Sequence, residues 1–460
     1  MFRISKDEEL TLDLLGEFLD EHKQEVNKRY KPLLNAYMSD HDILHAPKKA
    51  AYKPDNRIVV NFPKYIVDTM NGFFIGNPIK TVAEDDAVAE YVEHFEKYND
   101  MDNTNSALST NCGIFGKCYE MYYADEDAEL CAAFLSPIDA FMIYDDSIIQ
   151  RPLYFVRRYT DRNDVEYGSI SNSVGVRYFT VTGGLRWNDT EGEGEAWKPH
   201  NFKGVPAVEY IGNEIRQGLF EPVMSDINAY NKAISEKAND VDYFADAYLK
   251  VLGLKIEDED IKFIRDSRVI NLYGDDDISK FVAEFMDKPS NDTAQENLLD
   301  RLERHIFQIA MVANISDENF GGSSGTALQY RTLNMSNLME DKKRRFTSGL
   351  NRRYRLIFSH PAAKVPADAW EQLEFIFTPN LPKNLLEESQ IATNLEGIVS
   401  RKTQLATLSI VDNVQEELDA IEEENQEPKE SIVDKVMFGK VEPPTENTEG
   451  VTDEQSGILG

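Results

Sequence analysis

Apolar positions recur at helical spacing over residues 7–38, with Leu10, Leu14, Leu15, Phe18 and Leu19 on one stretch and a change near Pro32, which predicts one or two helices. The segment 39–57 is polar and broken by two prolines, so it reads as a loop. Helices are expected at 61–74, closed by Gly76-Asn77-Pro78, and again at 84–98 and 103–115. From about Gly116 the pattern shifts to short runs of β-branched and aromatic residues between Asp, Asn, Gly and Pro clusters. Residues 116–212 therefore read as an antiparallel meander, with turns at Asn172, Gly175, Gly183 and Gly184 and an exposed EGEGE stretch at 191–195.

After Pro222, Ser225 is placed to cap a helix reaching Leu252, with Gly253 as its stop. Its stripe is Ile227, Tyr230, Ile234, Ala238, Val241, Ala245, Tyr248 and Leu252, a mean step near 3.5, on a rod about 40 Å long at 1.5 Å per residue. A small α/β insert follows at 254–288: a strand LKIE, a short helix around 258–266, a strand VINLY, an acidic turn Asp275-Asp276-Asp277, and a strand or short helix through FVAEFM. A second long helix runs from Asp292, with Gln295 three residues on, to Asn314, carrying Leu298, Leu302, Ile306, Ile309 and Val312. The chain thus goes out along one helix, turns through a tip and returns along another.

The segment 316–326, SDENFGGSSGT, has three glycines, three serines and no apolar run, and reads as a flexible loop. A third long helix begins near Ala327, with Leu328, Leu333, Phe346, Leu350, Tyr354 and Ile357 as its stripe. Its polar face carries Arg331, Lys342, Lys343, Arg344, Arg345, Arg352, Arg353 and Arg355 against Glu340 and Asp341, which reads either as salt bridging to an acidic surface or as a DNA-facing or inter-subunit face. A β-like stretch at 373–379 and two or three helices across 384–425 precede a polar acidic tail, expected to be disordered.

Charge narrows the classes of function. The 460 residues hold 82 acidic against 49 basic side chains, a net of −33, and residues 411–460 alone hold 15 acidic and 3 basic. That argues against a body that grips phosphates, because such binding uses clustered cations. Cys112, Cys118 and Cys131, at spacings of six and thirteen, form neither a disulfide framework nor a CxxC pair, which fits a reducing compartment. The N-terminal MFRISKDEEL lacks a signal-peptide pattern and no apolar run approaches the roughly 18 residues of a membrane span, so a soluble intracellular product is expected.

Candidate chemistry is sparse. The Gly-rich loop at 316–326 follows a helix and lacks a Gly-Lys-Ser/Thr ending, and Gly116-Lys117 has Asn111 where a phosphate loop needs glycine. His41 and His45, flanked by Asp40 and Asp42, have metal-ligand spacing but fall in a loop, where a solvated pair is the simpler reading. His305 reads as a packed histidine beside an apolar stripe. Neither GxSxG, HExxH nor a kinase set is present.

Five strings in fixed order, NRIVVNFPKYIVDTMNGFFIGNPI at 56–79, SPIDAFMIYDD at 136–146, SDINAYNKAISEKANDVDYFADAYLKVLG at 225–253, SDENFGGSSGTALQYR at 316–331 and GIVSRKTQLATLSIVDNVQEELDAIEEE at 397–424, resemble the portal proteins of tailed bacteriophages, of the class found in long-tailed phages of Gram-positive hosts. The resemblance implies an α+β portal fold: a wing at 1–222, stem helices at 223–252 and 290–314, a clip at 253–289, a tunnel loop at 315–326, a long helix and the rest of the wing at 327–384, a helical crown at 385–425, and a tail at 426–460 outside the resemblance.

The same resemblance implies a ring, usually of twelve copies, at one capsid vertex of the virion, assembled in the host cytoplasm, through which double-stranded DNA is packaged and ejected. The implied partners are that DNA, a terminase motor, head-completion and tail connectors, and scaffolding and major capsid proteins, with no membrane, no cofactor, no metal and no catalysis. Asp317, Glu318, Asn319, Phe320, Gly321, Gly322, Ser323 and Ser324 would form the channel loop. Ile227, Tyr230, Ile234, Val241 and Tyr248 would pack between subunits, and Asp275, Asp276 and Asp277 would meet the motor or connector. The competing readings are a Mg-dependent DNA-processing or nucleotide-hydrolysing enzyme, and a helical scaffold without a channel.

Overall fold

The computed structural model describes residues 2–50, 53–188, 197–245, 249–252, 269–272, 282–285, 292–315, 325–380, 385–408, 410–411 and 413–426. The fold class is α+β, with the chain dividing into two compact units, Met1–Leu381 and Pro382–Gly460.

Helices open the first unit. Strand β1 (Phe2–Ile4) is followed by α1 (Leu12–Glu25), a π-helical turn at Val26–Tyr30 and α2 (Lys31–Tyr37). The next helix, α3 (Phe62–Ile75), begins where the Asn61 side chain accepts from the Lys64 N–H at 2.9 Å. A short β2 (Lys80–Val82) leads to α4 (Asp86–Tyr98), whose start is fixed by Asp85 accepting from the amides of Ala87 and Val88, and then to α5 (Met101–Phe115). Gly116 ends α5 at φ +83°, and a Cβ there would lie 2.1 Å from the Arg216 carbonyl oxygen, so only glycine fits both the left-handed turn and the close approach.

The single meander expected over 116–212 is two sheets. Strands β3 (Lys117–Ala124), β4 (Leu130–Leu135) and β11 (Ala207–Ile211) form one, in the order β11-β3-β4. Strands β5 (Ala140–Asp145), β6 (Pro152–Thr160), β7 (Glu166–Ser171) and β8 (Gly175–Thr180) run as an antiparallel meander in the other, extended by β1 parallel to β5 at one edge and by β9 (Arg186–Trp187) and β10 (Lys198–Pro199) against β8. Strand β5 is buried on both faces. Phe141 and Ile143 point into a cluster with Phe2, Leu15 and Phe18, while Ala140, Met142 and Tyr144 point into one with Tyr119, Val205 and Ala207.

The helix expected from Ser225 to Leu252 is shorter. Helix α6 runs Met224–Ala245, and Leu249–Leu252 is a strand, β12, parallel to β13 (Val269–Leu272) and antiparallel to β14 (Val282–Phe285). The 3.5-residue stripe continues through Leu252, so periodicity alone does not mark the change. The strand expected at VINLY is present, and FVAEFM, expected as a strand or a short helix, holds strand β14, whereas the strand expected at 254–257, the helix at 258–266 and the acidic turn lie outside the described residues. The returning helix, α7 (Asp292–Ala310), ends four residues short of Asn314 because Met311 takes φ +59°. Helix α8 (Gly325–Ser359) has 35 residues. Strand β15 (Glu374–Ile376), the β-like stretch of the sequence, pairs with β2.

The largest apolar cluster draws Ile66, Met70 and Phe74 from α3, Leu108 and Phe115 from α5, Tyr210 from β11 and Phe346, Tyr354 and Ile357 from α8. The second unit holds α9 (Leu385–Asn394), α10 (Arg401–Leu405) and α11 (Val414–Gln426), with Ser400 accepting from the Thr403 N–H at α10 and Gln404 Nε2 donating to the Ala392 carbonyl at 2.8 Å.

Candidate functional site

Helices α6 and α7 lie side by side. Gln295 Nε2 donates to Asp240 Oδ2 at 3.0 Å, and Lys237 pairs with Glu296. The stripe expected to pack between subunits divides. Ile227 is fully buried in the chain's own core, and Tyr230 meets Phe62 edge-on at 5.0 Å, so these two act within the chain. Ile234 is half-buried, Val241 is half exposed, and Tyr248 lies outside the described residues. On α7, Ile306 is buried while Leu298 and Ile309 are about half exposed, and Val312, just past the end of the helix, is buried. Among the described residues, the large apolar groups left outward on this helix pair are therefore Val241, Leu298 and Ile309.

Another face of α6 is polar and does its work inside. Asn231, Ser235 and Asn239 are buried at four-residue steps. Their side-chain oxygens accept from the backbone N–H groups of Val60 at 2.9 Å, Ile58 at 2.9 Å and Asn56 at 2.7 Å. Four residues of helix rise about 6.0 Å and two residues of extended chain about 6.6 Å, so the two repeats stay in step over three contacts. This ladder ties segment 56–60 to the long helix. Its signal in the sequence is the polar i, i+4, i+8 spacing beside the apolar stripe.

His41 belongs to the same junction. It is 2% exposed and takes a hydrogen bond between its Nδ1 and Asn231 Nδ2 at 3.1 Å, and burial pushes its pKa down. The solvated histidine pair expected here is thus half right: His45 is exposed and meets Asp40 at 2.5 Å, but His41 is an interior group. His305, expected to pack, is exposed on α7. Among the described residues no group of three His, Cys, Asp or Glu is arranged to hold a metal ion, and no helix is long and apolar enough to cross a membrane.

The loop expected to line a channel, Asp317 to Ser324, lies outside the described residues, as do Asp275, Asp276 and Asp277. Its approach is defined. Ile315 N–H donates to Tyr65 Oη at 2.7 Å, Asn314 Nδ2 donates to Glu303 at 2.9 Å, and Tyr65 packs edge-on against Phe307 at 5.4 Å. The end of α7 is therefore anchored to α3 immediately before the loop.

The basic stretch of α8 is not one face. Lys342 is 4% exposed, with Nζ donating to Ser109 Oγ at 2.7 Å and lying over the Phe74 ring, and burial pushes its pKa down to about 8. It cannot belong to an exposed basic surface. Arg353 is fully buried against Glu120. Arg345 is paired with Glu214 at 2.8 Å and with Asp341 at 3.2 Å. Lys343 is half-buried, while Arg331 and Arg344 are exposed. Helical geometry explains the division, since consecutive cations at 342–345 are spaced by about 100° and must point to different sides of a helix packed on the core.

A second polar cluster lies between the two sheets and the π-helical turn. Glu209 is buried, and although burial raises its pKa, the hydrogen bond from Arg216 at 2.8 Å, the nearby Lys117 and the Tyr144 hydroxyl at 2.6 Å hold it below the usual carboxylate range. Arg29 forms a two-pronged pair with Glu221 at 2.8 and 2.9 Å and donates to the Arg216 carbonyl. The partners come from elements almost 200 residues apart, so these bonds fasten the N-terminal helices to the segment that leads into α6.

The sequence as a whole matches known proteins. Residues 16–431 match the family described as phage portal protein, SPP1 Gp6-like. This chain belongs to the phage portal protein family. The portal protein of Bacillus phage SPP1 is 24% identical over 458 residues, covering 89% of this chain and 86% of that protein. The portal protein of Clostridium phage phiCD119 is 25% identical over 222 residues, 47% of this chain and 48% of that protein. A chain of a solved structure described as the neck of an empty GTA particle computed with C6 symmetry aligns at TM-score 0.44 and 13% identity, over 75% of this chain and 88% of that chain. The role of this chain is that of a phage portal, and its family is structural rather than catalytic.

Proposed function

We propose that this chain assembles into a ring, of twelve copies in its usual form, at one capsid vertex of the virion, and that double-stranded DNA passes through the centre during packaging and ejection. The observation that carries this reading is the portal-family match over residues 16–431, which spans α6, α7, α8 and the segment 315–326. In this assignment 1–222 and 327–384 are the wing, 223–252 and 290–314 the stem, 253–289 the clip, 315–326 the tunnel loop and 385–425 the crown. Helix α6 reaches Ala245 before the strand module begins, so the first stem segment is mostly helix and ends in strand β12.

Ring closure needs two different, complementary faces on each copy, and Val241, Leu298 and Ile309 supply apolar surface on the stem for that purpose. A conduit must touch DNA without holding it. The net charge of −33 favours release over capture, and the loop carries Asp317 and Glu318 with no cation. Asn319 and Phe320 are its bulkiest groups, flanked by Gly321, Gly322, Ser323 and Ser324. The clip, with Asp275, Asp276 and Asp277, is the surface for the terminase motor and later the head-completion and tail connectors, and the chain meets scaffolding and major capsid proteins during assembly in the host cytoplasm. Energy for transport comes from the motor, with no catalysis by this chain.

The test is a packaging reaction with particles assembled on the double variant Asp317→Lys, Glu318→Lys. DNA uptake slows or stalls if the loop meets moving DNA, and uptake at the wild-type rate contradicts the loop assignment.

A further inference from the structure

An open groove of about 950 Å³ lies between the β5–β6 turn, the segment 203–211 and one side of α8. Its wall carries Lys203, Arg344, Arg352 and Arg355, and none of these makes an ion pair with a described carboxylate. The two carboxylates in the wall are already engaged, Glu209 by Arg216 and Asp341 by Arg345. Arg352 is mostly buried beside Arg355, with the Ala207 carbonyl at 3.5 Å as its hydrogen-bond acceptor, so its charge is held at a cost. Four cations without an ion pair among the described residues, Arg355 lying over the Trp370 ring at 5.8 Å, stand out in one concavity of a chain of net charge −33.

The rim adds a second, independent feature. Ile148 is fully exposed and Ile149 is 70% exposed, both in the turn between β5 and β6. That turn is held in one shape: Asp145 Oδ1 accepts from Ser147 Oγ at 2.6 Å and from the Arg151 N–H at 2.8 Å, the Gln150 N–H donates to the Ser147 carbonyl, and Gln150 takes φ +52°. Two isoleucines presented on a fixed turn beside a cationic groove give the chemistry of a protein interface, an apolar contact bordered by charge. A DNA backbone would satisfy the arginines but offers nothing apolar to the isoleucines.

We infer that this groove and the Ile148-Ile149 turn form one of the two faces by which copies of this chain join in the ring, receiving a carboxylate-bearing surface of a second copy. The proposal rests on the ring reading above. Charge complementarity supports that occupant, because each copy has 82 carboxylates against 49 cations, and a ring with head-to-tail contacts requires a receiving face unlike the donating one.

The experiment compares the full chain with the double variant Arg344→Glu, Arg355→Glu and with Ile148→Asp, using mass photometry and native mass spectrometry over a range of protein and salt concentrations. All three positions are exposed, so folding is checked simply by an unchanged circular dichroism melt. The double variant should remain monomeric where the wild type forms rings, Ile148→Asp should raise the concentration needed for rings at least tenfold, and added salt should weaken the wild-type ring. Variants that form rings at the wild-type concentration overturn the proposal while leaving the ring reading intact. Rings that form normally but retain less DNA also overturn it, because the groove then faces nucleic acid. A wild-type chain that stays monomeric contradicts the ring itself.

Discussion

Arg353 Nε donates to Glu120 Oε2 at 2.9 Å, with both side chains inaccessible to solvent. The pair joins α8, the longest of the described helices, to β3, the central strand of the β11-β3-β4 sheet. The same carboxylate oxygen accepts from the hydroxyls of Tyr122 at 2.6 Å and Tyr210 at 3.0 Å, and Arg353 Nη2 donates to Asn105 at 2.6 Å, so α8, β3, β11 and α5 meet at one point. Removing one member leaves an unpaired charge in the interior, which costs about 3–5 kcal/mol. Arg353→Met should therefore lower the urea midpoint strongly, and the double variant Arg353→Met, Glu120→Leu should recover a large part of the loss. A single substitution without effect would show that the pair carries no such role.

His22 predicts a loss of stability in mild acid. Its Nε2–H donates to the Pro137 carbonyl at 2.8 Å, and Nδ1 faces Arg158 Nη1 at 3.5 Å, so a proton on Nδ1 would set two donors against each other. Burial is the main cause that holds the pKa down to about 4 against an ordinary 6.5. The folded state thus binds fewer protons than the unfolded state between these values, and stability falls as the pH drops from 6.5 towards 4, by up to about 3 kcal/mol. Denaturant titrations at pH 7 and pH 4.5 should show this slope, and His22→Gln should flatten it.

Lys342 gives a slope at the other end of the scale. Its pKa of about 8, lowered by burial, means that below pH 8 the fold carries a desolvated ammonium, and that stability rises between pH 8 and about 10.5 as the folded state gives up the proton first. Lys342→Met should raise the melting temperature at pH 7 by the equivalent of about 1 kcal/mol, after loss of the Ser109 bonds is set against the removed charge. The gain should vanish by pH 10. A variant destabilised equally at both pH values would contradict the account of this lysine.

The polar ladder on α6 can be read one amide at a time. Asn239→Leu should release the Asn56 N–H, Ser235→Ala that of Ile58 and Asn231→Leu that of Val60, each costing about 1–3 kcal/mol. Hydrogen exchange should accelerate first at the amide opposite the substituted residue. Uniform acceleration across the whole domain would contradict local attachment.

What the sequence makes legible here follows from local chemistry. Helices α3 and α4 are visible because Asn61 and Asp85 each do a capping task that no tertiary contact needs to decide. The partition of 116–212 into two sheets is not visible, because β11 pairs with β3 across some 90 residues and neither strand advertises its partner. The end of α6 is hidden by a stripe that continues into β12. The basic run of α8 misleads for a different reason: charge is counted along the chain, whereas Lys342 and Arg353 are turned into the core by the helix. The groove gathers Lys203, Arg344, Arg352 and Arg355 from two distant segments, so its charge exists only once the chain has folded. The family role, in contrast, is carried by strings of sequence in a fixed order, and is readable without coordinates.

Native mass spectrometry of the purified full chain, paired with single-particle images, tests the central claim most directly. A closed ring of about twelve copies with an open centre wide enough for a DNA duplex is the predicted result. A population of monomers and dimers only, or a closed assembly without a central opening, would contradict it.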